Sequence, residues 1–308
     1  MSHRFRPHLA LIAVQLLFGI WPIIGKIVLR SMSVTSLVAC RLVGAALAFA
    51  LLQRQLKPLI KMPRQDFMLL VLCAITGVVG NQLLYVKALS LTTVINAALL
   101  TATIPVITLV VSILFRYDNW SLKRVAGIVL AATGVVYLVN PMQAQLTSET
   151  TLGNLLLLCN ALCYAVYLVI SKRLLERYGA LNVITWIFVV SAVIVVPLGF
   201  YSFGNENVAA IGWTVWLLVG LIILLPTVSA YYLNSWALTH VSPSTAAIYI
   251  YLQPLIAFGF APLVLGERWS SRTAIATLLI FAGLALVTMP GRSRAVRDIS
   301  EHPDALAH

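Results

Sequence analysis

Residues Ala88–Val106 read ALSLTTVINAALLTATIPV, an apolar run that nevertheless holds an asparagine, four threonines and a proline. The stretch Ala237–Leu255, ALTHVSPSTAAIYIYLQPL, begins 149 positions later and keeps the same frame. Ala88-Leu89 falls on Ala237-Leu238, Ala97-Ala98 on Ala246-Ala247 and Pro105 on Pro254, with no gap. The offset persists as Trp120-Ser121 meets Trp269-Ser270, Gly134 meets Gly283 and Pro141 meets Pro290. Apolar sequence matches itself easily, but Pro, Trp and Gly at one offset over about 55 residues do not recur by chance. A weaker match at an offset of 146 places Phe18 on Tyr164, Trp21 on Tyr167 and Lys26 on Lys172. The chain reads as two copies of one unit.

The composition puts both copies in a membrane. Of 308 residues 61% are apolar and 10% charged, with a mean hydropathy of +0.97, whereas soluble domains are about half apolar and a quarter charged. The net charge of +12 is scattered in short clusters between apolar runs, with no basic stripe, so no nucleic-acid partner is expected. The expected partners are a small-molecule substrate and the lipid bilayer, and either a monomer or a homodimer fits. Cys40, Cys73, Cys159 and Cys163 all sit inside apolar runs, where a thiol behaves as a small hydrophobe. They point to neither disulfides nor zinc, and neither a metal nor a cofactor is expected.

About 20 apolar residues of helix cross a bilayer core, and on that measure ten spans emerge: 9–29, 34–52, 67–87, 93–115, 122–140, 152–174, 181–203, 212–235, 243–265 and 272–289. None alternates with period two, so the predicted fold is an all-α membrane protein rather than a barrel. The first apolar run is too long for a cleavable signal and reads as a permanent helix. Lys and Arg in the loops divide fifteen to four in favour of the side holding the N-terminus, which predicts that both termini are cytoplasmic. Residues 1–145 form a first five-helix repeat, 146–290 a second, and 291–308 a polar tail expected to be disordered. Because five is odd, the second repeat enters the membrane from the opposite side. Inverted repeats of this kind characterise secondary transporters, with substrate held between the repeats near the midplane.

On these features the chain resembles a ten-helix member of the drug/metabolite transporter superfamily, of the EamA exporter type. The resemblance rests on Arg41 in CRLVGA, on the Ala-Leu, Ala-Ala and Pro series of each half, and on Gly266-Glu267-Arg268-Trp269. It implies a central cavity lined by helices one to four and six to nine, with five and ten peripheral. It also implies export of amino acids, other small metabolites or drugs across a bacterial inner membrane. The chain departs from the pattern at Phe18-Gly19-Ile20-Trp21-Pro22, where many relatives have Trp-Gly, and at Tyr117-Asp118, where the second half has Gly266-Glu267.

Helical spacing selects cavity candidates independently of that resemblance. Asn96 and Thr103 are seven apart in the fourth span, and Thr245, Tyr249 and Gln253 step by four in the ninth. Further polar or aromatic stripes are Gln15, Phe18 and Trp21 in the first span and Asn81, Gln82 and Tyr85 in the third. The sixth has Asn160, Tyr164 and Tyr167, and the eighth Thr227, Tyr231 and Asn234. The fifth and tenth spans, GIVLAATGVVYLV and TLLIFAGLALV, carry almost none. The competing reading is structural. Asn, Gln, Thr and Tyr in membrane helices also join helices by hydrogen bonds worth about 0.6 kcal/mol on average, and Tyr and Trp anchor helix ends at the interface. Tyr249 and Gln253 stand out because the rest of their span is apolar.

Lys26 and Arg41 are the two cations within spans. Each either snorkels or pairs structurally, or else contacts a substrate carboxylate. Every acid falls at a span edge, in a loop or in the tail, and no histidine lies mid-span. Proton coupling through an intramembrane carboxylate or histidine is therefore not expected. The same absence favours zwitterionic, neutral or anionic metabolites over organic cations, although multidrug or organic-cation efflux through aromatic faces is the alternative. A membrane-embedded enzyme is the remaining class. No nucleophile elbow, carboxylate pair, metal cluster or phosphate loop is present, so the chain is read as a transporter.

Overall fold

The computed structural model describes residues 6–53, 62–116, 121–139, 149–268 and 270–288. The tail 291–308, Tyr117-Asp118 and the matched residues Trp120, Trp269, Pro141 and Pro290 lie outside them. The described residues form helices and turns, with no strand among them. Among the described residues, eight helical stretches are long and apolar enough to cross a membrane: α1 Arg6–Val28, α2 Val34–Leu52, α3 Arg64–Leu91, α4 Val94–Leu114, α6 Glu149–Tyr178, α7 Ala180–Gly204, α8 Trp213–Leu238 and α9 Pro243–Leu265. Between and after these run α5, Leu122–Val139, and α10, Ser271–Thr288, whose apolar stretches are shorter.

Short-range chemistry sets the helix ends. The hydroxyls of Ser33, Thr93 and Ser242 accept from the amides of Ser36, Asn96 and Thr245, capping α2, α4 and α9. Two caps are reinforced by acids from distant loops. The Glu267 carboxylate accepts from the Val94 and Ile95 amides at 2.7 and 3.0 Å, and Glu206 accepts from the Ser33 amide at 3.1 Å and the Ser36 hydroxyl at 2.9 Å. Both place negative charge at a positive helix start. α6 runs past the expected end at residue 174. Its charged last turns are held by Asp66 at the start of α3, which accepts from Arg177 at 2.7 Å and from the Tyr178 hydroxyl at 2.6 Å.

Four spans are interrupted near their middle. In α3 the segment Ile75–Gly80 widens into a π-turn, and in α8 Ile223–Ser229 does the same. Pro226 removes one ladder donor in α8, and the hydroxyls of Thr227 and Ser229 reach five residues back to the carbonyls of Ile222 and Leu224, each at 2.8 Å. In α3 the carbonyls around the π-turn receive donors from across the bundle: Tyr231 Oη to Gly77 at 3.3 Å and Asn160 Nδ2 to Asn81 at 2.7 Å. α4 breaks at Ala102-Thr103, and α9 tightens to a 3-10 turn over Tyr249–Tyr251. Pro105 and Pro254 follow these breaks, and each lacks the N–H that would ordinarily bond the carbonyl four residues back, at Thr101 and Ile250.

Packing pairs the two halves. α2 lies along α7, with Phe49 and Phe188 ring to ring at 5.2 Å, and α5 lies along α10. Those last two approach so closely that a Cβ on Gly283 would strike the backbone at Gly127 and Ala131. α1 packs on α8 and α9, and α6 packs on α3 and α4. Each half thus inserts its first helix into the other half's third and fourth.

Candidate functional site

A central cavity of about 60 Å3 lies where these helices meet. Its wall is built by Phe18 and Trp21 from α1, Arg41 from α2, and Asn81, Gln82 and Tyr85 from α3. Thr101 and Ile104 come from α4, Asn160 and Tyr164 from α6, Tyr231 from α8, and Ile250 and Gln253 from α9. The wall is polar and aromatic, and no acid among the described residues lines it. A drug-sized ligand site is usually about 300–1,000 Å3, so this cavity is small beside one.

Of the residues selected from sequence, the structure brings Phe18, Trp21, Arg41, Asn81, Gln82, Tyr85, Asn160, Tyr164, Tyr231 and Gln253 onto this wall. Gln15 and Asn234 stand one contact behind it. Gln253 Nε2 donates to Gln15 Oε1 at 2.6 Å, and Asn234 Nδ2 donates to the Tyr164 hydroxyl at 3.3 Å. Tyr167 is fully buried beyond Tyr164, its ring against Gly77 and its hydroxyl 3.5 Å from Ser235 Oγ.

Four candidates are placed elsewhere. Asn96 donates to the Thr92 hydroxyl at 3.3 Å near the start of α4, and the Thr103 hydroxyl turns back on Leu100 at 2.7 Å. The break between them removes the shared face that a spacing of seven implies. Thr245 belongs to the Ser242 cap, and the Tyr249 hydroxyl lies 2.7 Å from His8 Nδ1 on α1. Here too the 3-10 turn intervenes, so a step of four from Tyr249 to Gln253 does not keep one face. α7, expected on the wall, contributes nothing to it because α7 packs behind α2, with Phe188 edge-on to Tyr231. Thr101, Ile104 and Ile250 were not singled out from sequence. The prolines four residues beyond Thr101 and Ile250 are the signal that could have found those two.

The two cations separate clearly. Lys26 Nζ donates to the Thr92 carbonyl in the turn between α3 and α4, and the residue shares an outer recess with Arg30 and Glu267. Lys172 makes the matching contact in the other half, donating to the carbonyls of Leu238 and Val241, each at 3.0 Å, between α8 and α9. Arg41 instead points inward. It is 3% exposed, its guanidinium lies 3.9 Å from the centroid of the Trp21 ring, and Nε donates to Thr227 Oγ1 at 3.1 Å. It does not snorkel.

A cavity of mixed polar and aromatic lining, among apolar helices that break around it, suits a membrane carrier, and sequence comparison agrees. The EamA-like transporter family model matches twice, over residues 6–140 and 151–289. The chain belongs to this family, within the drug/metabolite transporter superfamily. It is 28% identical over 223 residues to an uncharacterized transporter of Archaeoglobus fulgidus, covering 70% of this chain and 74% of that one. It is 27% identical over 267 residues to a "Probable terminal-alkyne amino-acid exporter" of Streptantibioticus cattleyicolor, covering 85% and 86%. A crystal structure with 19% identity superposes with a TM-score of 0.68, covering 94% of this chain and 100% of the other, and shares the fold.

Proposed function

We propose that this protein is a secondary transporter that moves small metabolites, amino acids or similar zwitterionic, neutral or anionic compounds, outward by alternating access through the central cavity. It is read as ten membrane-crossing helices in two inverted five-helix repeats, with both termini cytoplasmic in a bacterial inner membrane, and as a carrier rather than an enzyme. The observation that carries this reading is the cavity's construction: its walls are interrupted at matching places in both halves. The π-turns of α3 and α8, the breaks of α4 and α9, and the carbonyls freed by Pro105 and Pro254 correspond at the offset seen in the sequence. Two near-equivalent halves can exchange conformations and so expose one site to either side. The exporter from Streptantibioticus cattleyicolor supports amino acids as the first class to try. Organic cations fit less well, because no acid among the described residues lines the cavity and the Trp21 face is already covered by Arg41.

Counterflow in liposomes tests the proposal. Purified protein should exchange labelled for unlabelled amino acid without changing it chemically. Conversion of the label without exchange would sink it in favour of an enzyme.

A further inference from the structure

Resting on that reading of the cavity as the transport site, we propose that Arg41 and Gln82 form a subsite for a single carboxylate group of the substrate. Arg41 is buried, and no carboxylate among the described residues pairs with it. A guanidinium offers five N–H donors in a planar fork. Here only Nε has a protein acceptor among the described residues, Thr227 Oγ1, which is itself held by the Ile222 carbonyl. Trp21 covers one face of the fork. What is left to bind is the Nη edge, the edge that takes a carboxylate through two parallel hydrogen bonds.

Gln82 supplies the second observation. It is 2% exposed and lies on the same cavity wall, where the Tyr231 hydroxyl is its one side-chain neighbour in hydrogen-bond reach and no close hydrogen bond satisfies either Nε2 or Oε1. The Tyr231 proton is directed elsewhere, to the Gly77 carbonyl and Asn81 Oδ1. A buried amide held by no more than a long contact with one hydroxyl is costly, and a ligand in the cavity relieves it. Gln82 Nε2 donates to the carboxylate, while Oε1 accepts from a donor elsewhere on the same molecule.

The charge count selects a carboxylate over a phosphate. Lys26 is committed to Thr92 and faces a separate recess, so Arg41 brings one positive charge to the wall and no second cation among the described residues joins it there. One monoanion neutralises it, whereas a dianion would leave a buried negative charge unmatched.

The test compares each common L-amino acid and short monocarboxylic acid with its own carboxamide in the counterflow assay. Exchange of the acids should exceed that of the carboxamides by about tenfold or more, as expected for a lost charged hydrogen bond. Chloride and sulfate should not compete. Arg41→Gln should remove acid exchange, Arg41→Lys should restore part of it, and Gln82→Leu should weaken it. If Arg41→Gln does not fold, the comparison of acid with carboxamide on the unaltered protein still decides. Carboxamides exchanging as well as acids would overturn the subsite while leaving the transport reading intact. Competition by inorganic anions as strong as by organic acids would also overturn it. Absence of exchange for every compound would instead remove the reading on which the subsite rests.

Discussion

The ring of Tyr167 occupies the space where a side chain on residue 77 would begin, so that α6 and the π-turn of α3 touch through a glycine. Gly77→Ala should therefore cost about 1–3 kcal/mol of stability through overpacking, read as a lowered midpoint of unfolding in detergent. Gly220→Ala is the control, since a Cβ there meets nothing within 4 Å. Combining Gly77→Ala with Tyr167→Leu should cost less than the sum of the single changes, because the clash and the ring that causes it are one interaction.

The lysine contacts predict a structural phenotype. Lys26→Met and Lys172→Met each remove a charged donor from carbonyls in a turn between helices. Each should lower stability by about 1–2 kcal/mol, and neither should alter the order in which substrates compete. A changed preference in Lys26→Met with unchanged stability would place Lys26 on the substrate after all.

Glu267 joins the end of α9 to the start of α4 through the amides of Val94 and Ile95. Glu267→Gln keeps the shape and removes the charge. The expected loss is about 1 kcal/mol, from the helix dipole and the weakened cap, measured as a shift in thermal midpoint that shrinks at high salt.

A pH gradient imposed across proteoliposomes should not by itself concentrate substrate. Glu206 and Glu267 act as helix caps, Asp66 is paired with Arg177, and none lines the cavity. Uptake against a concentration gradient driven only by protons would contradict this. His8, 2.7 Å from the Tyr249 hydroxyl, would then be the first residue to replace.

The spans were largely legible in the sequence because a bilayer demands long apolar runs and because hydroxyls, glycines and prolines mark where those runs stop. α2 begins and ends where hydropathy places it, at Val34 and Leu52. The faces were less legible. A helical wheel assumes a constant turn per residue, and α3, α4, α8 and α9 each break that assumption near the middle. Asn96 and Thr103 therefore lose the face they share on paper, and Tyr249 parts from Gln253. The two cations look alike in sequence. Only the position of the Thr92 carbonyl, reached through the fold of α3 onto α1, distinguishes Lys26 from Arg41.

The widened turns of α3 and α8 have a historical consequence. A helix that gains one residue while both of its ends stay in place can store the extra residue as a single π-turn. Ile75–Gly80 and Ile223–Ser229 occupy corresponding places in the two halves, although one is centred on glycine and the other on proline. If the halves descend from one ancestral unit, a single insertion made before the doubling accounts for both. The widened turns would then be older than the side chains that now make the two walls of the cavity different.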